Sequence, residues 1–98
     1  MPVDKSSLAR WRTMGAAVAL GALAEHVKQD PSFVPRASLQ TARWYTSVDG
    51  NDVELLCTGP KFFDVRAGRG GGGAVDLVMH LFDVDFKAAV RLLQDKGV

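Results

Sequence analysis

Six consecutive residues, Gly68-Arg69-Gly70-Gly71-Gly72-Gly73, carry half of the ten glycines and constrain everything around them. Glycine weakens helix and strand interiors, because it loses more backbone freedom on ordering than any other residue. The run therefore reads as a tight connection between a strand-like segment, Lys61–Val65, and a helical pattern, Ala74–Phe82. Gly68, Gly70 and Gly73 satisfy G-x-G-x-x-G. A dinucleotide site also needs a βαβ unit with an acidic residue about twenty positions on, whereas helical patterns follow Gly73. A P-loop fails too, since Ala74-Val75 stands where Lys-Ser/Thr is required. Two readings stay open. The backbone N–H groups of Gly70, Gly71, Gly72 and Gly73 can converge on a phosphate at the helix start, with Lys61, Arg66 and Arg69 nearby in sequence. Alternatively, the glycines only permit a tight path, and Asp76 in the first helical turn already complements the dipole.

The segments flanking the run supply the rest of the fold. Toward the N-terminus, Leu20, Leu23, Ala24 and Val27 fall at i, i+3, i+4 and i+7, which predicts an amphipathic helix within a helical region over residues 1–30. Ser6 or Ser7 is its expected N-cap, Pro31 sets its latest end, and Gly15 and Gly21 mark places where it can break in two. The same stretch imitates a secretory signal, with Lys5, Arg10 and Arg12 ahead of an apolar run ending Ala22-Leu23-Ala24. The apolar periodicity runs through that cleavage point, and the run is too short to span a membrane.

Pro31–Leu39 reads as loop. Ala42–Val48, Val53–Thr58 and Lys61–Val65 read as strands joined by turns at Asp49-Gly50-Asn51-Asp52 and Gly59-Pro60. Beyond the glycines, Ala74, Val75, Val78, Leu81 and Phe82 form the apolar side of one helix. In a last helix Phe86, Ala89, Val90 and Leu93 repeat with helical period, with Asp83 or Asp85 as cap and Gly97 just past the end. The expected fold is α+β, one domain over residues 1–98: N-terminal helices, then over residues 40–98 a three-stranded antiparallel sheet, the glycine-rich loop and two C-terminal helices.

Composition decides the chemistry. Twelve Lys and Arg against eleven Asp and Glu leave a formal charge of +1, which excludes a broadly basic coat and confines any nucleic-acid contact to a patch. The lone cysteine, Cys57, excludes an internal disulfide and a Cys₄ or Cys₃His zinc site. It favours a reducing, cytoplasmic setting, and its default role is a small buried hydrophobe. Asp76 and His80, spaced i, i+4, can form an ion pair, half a metal site or an acid–base pair, with His26 in a separate predicted helix. Trp44, Tyr45, Phe62 and Phe63 supply rings for base stacking, although strand alternation leaves at most half of them free. Trp44 is the ring assigned to that contact.

Three segments together resemble a known pattern: Gly59-Pro60-Lys61-Phe62-Phe63-Asp64, the stretch Gly68 to His80, and Asp85-Phe86-Lys87-Ala88-Ala89-Val90-Arg91-Leu92-Leu93. They look like the CHC2-type, zinc-ribbon-like N-terminal domain of bacterial DNA primases, and more closely like a branch in plasmid and mobile-element proteins that precedes a Toprim-type catalytic domain. Aligned on Val75-Asp76, the family's two cysteine positions fall on Val65 and Gly68, and the upstream Cys-Pro-x-His pair has no counterpart. The resemblance therefore implies a degenerate zinc ribbon without zinc or other cofactor. It also implies contact with single-stranded DNA template through Lys61, Arg66, Arg69 and the Gly70–Gly73 backbone. The Toprim carboxylates would lie downstream, so the chain is not expected to be an enzyme by itself. It is either part of a larger replication protein or a stand-alone adaptor docking on a polymerase, helicase or primase through residues 74–96.

Overall fold

The computed structural model describes residues 5–34 and 40–98. The elements run α1 (Lys5–Thr13), α2 (Ala16–Leu23), β1 (His26–Gln29), β2 (Ala42–Val48), β3 (Asn51–Thr58), β4 (Lys61–Asp64), β5 (Arg69–Gly72), α3 (Ala74–Phe82) and α4 (Phe86–Asp95). The class is α+β, with four helices among the described residues and an antiparallel sheet in strand order β1-β2-β3-β4-β5.

The sheet has five strands rather than three, and both additions come from segments read otherwise in the sequence. The helical region stops at Leu23, and Ala24 turns extended. Val27 then reaches the core from β1, opposite Thr46, because strand alternation serves one apolar residue as well as helical period does. His26 therefore opens a strand. Gly15 does break the N-terminal helix, standing ahead of α2, while Gly21 sits inside α2 and Ser6 and Ser7 lie within α1. Part of the expected loop, residues 35–39, lies outside the described residues.

The second addition is the glycine run, which pairs with β4 as an edge strand from Arg69 to Gly72. Glycine is needed there for closeness. A Cβ on Gly70 would collide with the Phe62 carbonyl oxygen, and one on Gly71 would lie 3.1 Å from Asp76 Oδ2 and 3.2 Å from Phe62 Cζ. Gly73, at φ +87°, passes over the α1 backbone, where a Cβ would lie 3.2 Å from Arg12 Cα.

Two tight hairpins set the register. Asp49 and Gly50 both take positive φ, 51° and 78°, the pattern of a type I′ turn, so β3 begins at Asn51. Gly59, at φ 56°, and Pro60 link β3 to β4, and Gly59 accepts a 2.7 Å hydrogen bond from Ala16 at the start of α2. One face of the sheet presents Leu55, Cys57 and Phe62 to a helical layer contributing Trp11, Leu20, Leu77, Ala89 and Leu93. Burying each such Leu or Phe side chain stabilises by about 1.5–3 kcal/mol. Leu77, fully buried, is the α3 core residue that the predicted apolar side left out. At α4, Asp85 rather than Asp83 caps the helix, accepting from the Ala88 amide at 2.9 Å, while Asp83 ends α3 in left-handed conformation. Gly97 follows with φ 70°, and the Val98 carbonyl accepts from Trp11 Nε1 at 3.1 Å and Arg10 at 2.8 Å.

Candidate nucleic-acid interface

The registers divide the strand residues cleanly between the two faces. Trp44 pairs with Leu55, and Leu55 with Asp64, so Trp44, Leu55, Cys57, Phe62, Asp64 and Arg69 share the helix side. The opposite face carries Lys28, Arg43, Tyr45, Glu54, Leu56, Lys61 and Phe63, with Asp30 just beyond β1. Among the described residues, helices pack on the first of these faces only, and on the other Tyr45 and Phe63 are 42% and 45% exposed.

Polar pairs line this outer face along β2 and β3. Thr41 and Thr58 hydroxyls meet at 2.6 Å, Arg43 bridges to Glu54 at 2.5 Å, and Ser47 donates to Asp52 at 2.7 Å. Such pairs are what a water-facing antiparallel sheet requires. The rings are the exception. Arg43 lies 5.7 Å from the Tyr45 ring centroid, within cation–π range, and its hydrogen bond to Glu54 holds its pKa above the ordinary arginine value. Asp30 is held below the usual carboxylate range, chiefly by Ser32, whose hydroxyl donates at 2.6 Å and whose amide donates at 2.9 Å.

Depressions lie toward either end of the face. One, of about 300 Å³, is bordered by His26, Lys28, Tyr45 and Arg66. The other, of about 450 Å³, is bordered by Leu56, Thr58, Lys61 and Phe63. Strand spacing and rise put Tyr45 and Phe63 about 12 Å apart.

The residues named from sequence do not converge on the glycines. Arg66 joins His26, Lys28 and Tyr45, and Lys61 joins Phe63. Arg69 pairs with Asp64 on the helix side and borders a separate depression with Asp76, His80 and Asp83. Trp44 packs against the core, with its Nε1 buried and unpartnered. The glycine amides are largely committed: Gly68 donates to the Asp64 carbonyl at 2.8 Å, Gly73 to that of Pro60 at 3.0 Å, and Gly72 to Asp76 Oδ2 at 3.2 Å. A carboxylate thus occupies the place where an anion would sit. Lys28, Arg43 and Leu56 were missed, although β2 carried the signal. Alternation of Trp44, Thr46 and Val48 against Arg43, Tyr45 and Ser47 separates the inner face from the outer one.

Asp64, not Asp76, is the partner of His80, at 2.7 Å between Oδ2 and Nε2. Its other oxygen accepts from the Arg66 and Ala67 amides, each at 3.1 Å, closing the turn between β4 and β5. Burial pushes the Asp64 pKa up, but the hydrogen bonds from His80, Ala67 and Arg66, with the His80 charge, outweigh it and hold the carboxyl below its ordinary value. This turn contains Val65 and Gly68, where the primase family's cysteines fall, and neither offers a metal ligand. Cys57 lies buried on β3, where desolvation raises its thiol pKa to about 11. Among the described residues no group of three or more His, Cys, Asp or Glu is placed to hold a metal ion. Also among them, no helix is long and apolar enough to cross a membrane.

No family model matches the chain, and no solved structure matches it. A stretch of 36 residues, 37% of the chain, is 50% identical to a "65 kDa protein" of Zymomonas mobilis subsp. mobilis. That stretch covers 6% of the relative's length, so the chain is similar to a small part of a much longer protein.

Proposed function

We propose that the uncovered sheet face binds single-stranded nucleic acid, as a zinc-free relative of the primase zinc-ribbon domain serving replication or transfer of a mobile element. The observation that carries this reading is a pair of half-exposed rings, Tyr45 and Phe63, set among Lys28, Lys61 and Arg66 on a face that no helix among the described residues covers. Aromatic platforms flanked by cations hold single strands by stacking the bases and neutralising the phosphates. Backbone positions about 12 Å apart do not match neighbouring bases of a stacked helix, which follow at about 3.4 Å. A splayed strand can serve both. The acidic groups on the face keep its net charge low, so affinity rests on stacking as much as on charge.

The test is the salt dependence of binding to a fluorescent single-stranded oligonucleotide. Arg66→Ala is expected to flatten the slope of log K against log salt by roughly 0.7, one phosphate contact. Arg69→Ala, on the other side of the sheet, leaves it unchanged. No binding by the wild-type chain at low salt sinks the reading, and equal effects of the two variants would move the interface to the glycine strand.

A second reading has its own observation. Phe86 on α4 is 50% exposed and borders a depression of about 240 Å³ with Leu8, Arg12 and Val75. An adaptor docking on a polymerase, helicase or primase would use this helical side and leave the sheet face free.

A further inference from the structure

Glu54 is out of place on a face that binds nucleic acid. It sits on the central strand directly opposite Tyr45, with its side chain only 12% exposed, and it pairs with Arg43. The other carboxylates of this face are held by hydroxyls: Asp52 by Ser47 at 2.7 Å, and Asp30 by Ser32 at 2.6 Å. Glu54 instead consumes the cation nearest the centre. The Arg43 Nε is buried and, among the described residues, without a hydrogen-bond partner. The middle of the platform is therefore electrically neutral and apolar, with Tyr45, Leu56 and Phe63, while the uncommitted cations stand toward its ends, Lys28 and Arg66 at one and Lys61 at the other.

Building on the nucleic-acid reading, we infer that Glu54 is a specificity residue that selects single strands against duplex by withholding Arg43 from phosphates. A single strand can turn its bases onto the neutral centre and keep its phosphates near the outer cations. A duplex has its bases inside and brings its phosphate backbone to whatever it touches. At the centre of this face the backbone meets no free cation and a carboxylate close beneath. Neutralising Glu54 releases the guanidinium, which then offers a planar, multidentate contact to phosphate.

The experiment compares single-stranded and duplex oligonucleotides of the same sequence on wild type, Glu54→Gln and the double variant R43Q/E54Q, with thermal melts showing that each is folded. The wild-type chain is expected to prefer the single strand. Glu54→Gln should gain duplex affinity several-fold, with its duplex salt slope steeper by about 0.9 for one added phosphate contact. R43Q/E54Q, which keeps the neutral centre without the cation, should lose that gain. Unchanged duplex affinity and slope in a folded Glu54→Gln overturn the inference while single-strand binding stands. A gain that survives in R43Q/E54Q overturns it as well, because Arg43 is then not the released group. Absence of single-strand binding by the wild type is the separate failure, and it removes the underlying reading.

Discussion

Asp64 shows how much one side chain organises. Its carboxylate accepts from the Arg66 and Ala67 amides and from His80, so a single buried group shapes the β4–β5 turn and ties it to α3. Replacing Asp64 by Ala takes the acceptor from two amides on exposed residues, which water can reach, and from the part-buried His80, for an expected loss of about 1–3 kcal/mol. The pH dependence follows from the direction of the shift. A carboxyl whose folded pKa is depressed contributes stability that is present above its unfolded value, about 3.9, and lost as pH falls through the folded one. Urea titrations from pH 6 to pH 2 are expected to show wild-type stability falling below about pH 4, with a shallower fall in Asp64→Asn. Equal acid limbs in the two proteins would contradict the assignment. The sequence offered His80 a partner one helical turn away, Asp76, and the fold supplied another, because Asp76 is spent on the Gly72 amide.

At the level of elements, α3, α4, β2 and the two hairpins were legible because their signals are local. Apolar period marks α3 and α4, alternation marks β2, and Gly with Asp or Pro marks the turns. β1 and β5 were not legible, for opposite reasons. In β1 a single apolar residue, Val27, fits helical and strand period alike, and only pairing with β2 decides between them. In β5 there is no side-chain signal at all, since the strand is nearly all glycine and its reason lies in tertiary crowding against β4 and α3. That crowding is testable at Gly70, which lies outside the left-handed region. Gly70→Ala drives a methyl into the Phe62 backbone carbonyl oxygen. Overpacking of this kind costs about 1–3 kcal/mol, measurable as a lowered urea midpoint. A stabilised Gly70→Ala would show that the glycines are not kept for close approach.

Over the whole molecule, the consequence of five strands is that the candidate site moves. The predicted site was a glycine loop flanked by Lys61, Arg66 and Arg69, but in the folded chain those cations are divided between two faces. Sequence proximity had suggested one cluster, and strand alternation breaks it up. What takes its place is broader and flatter: a sheet with helices packed on one side and a mixed aromatic and charged surface on the other. On the proposed reading, a near-neutral chain needs no basic coat, because the proposed contacts are stacking at the centre and cationic toward the ends. The most direct measurement is an amide chemical-shift titration of the chain with a short single-stranded oligonucleotide. The account predicts that perturbations concentrate on Lys28, Arg43, Tyr45, Leu56, Lys61, Phe63 and Arg66. Perturbations confined to Arg69–Gly73 or to α3 and α4, or none at saturating oligonucleotide, would contradict it.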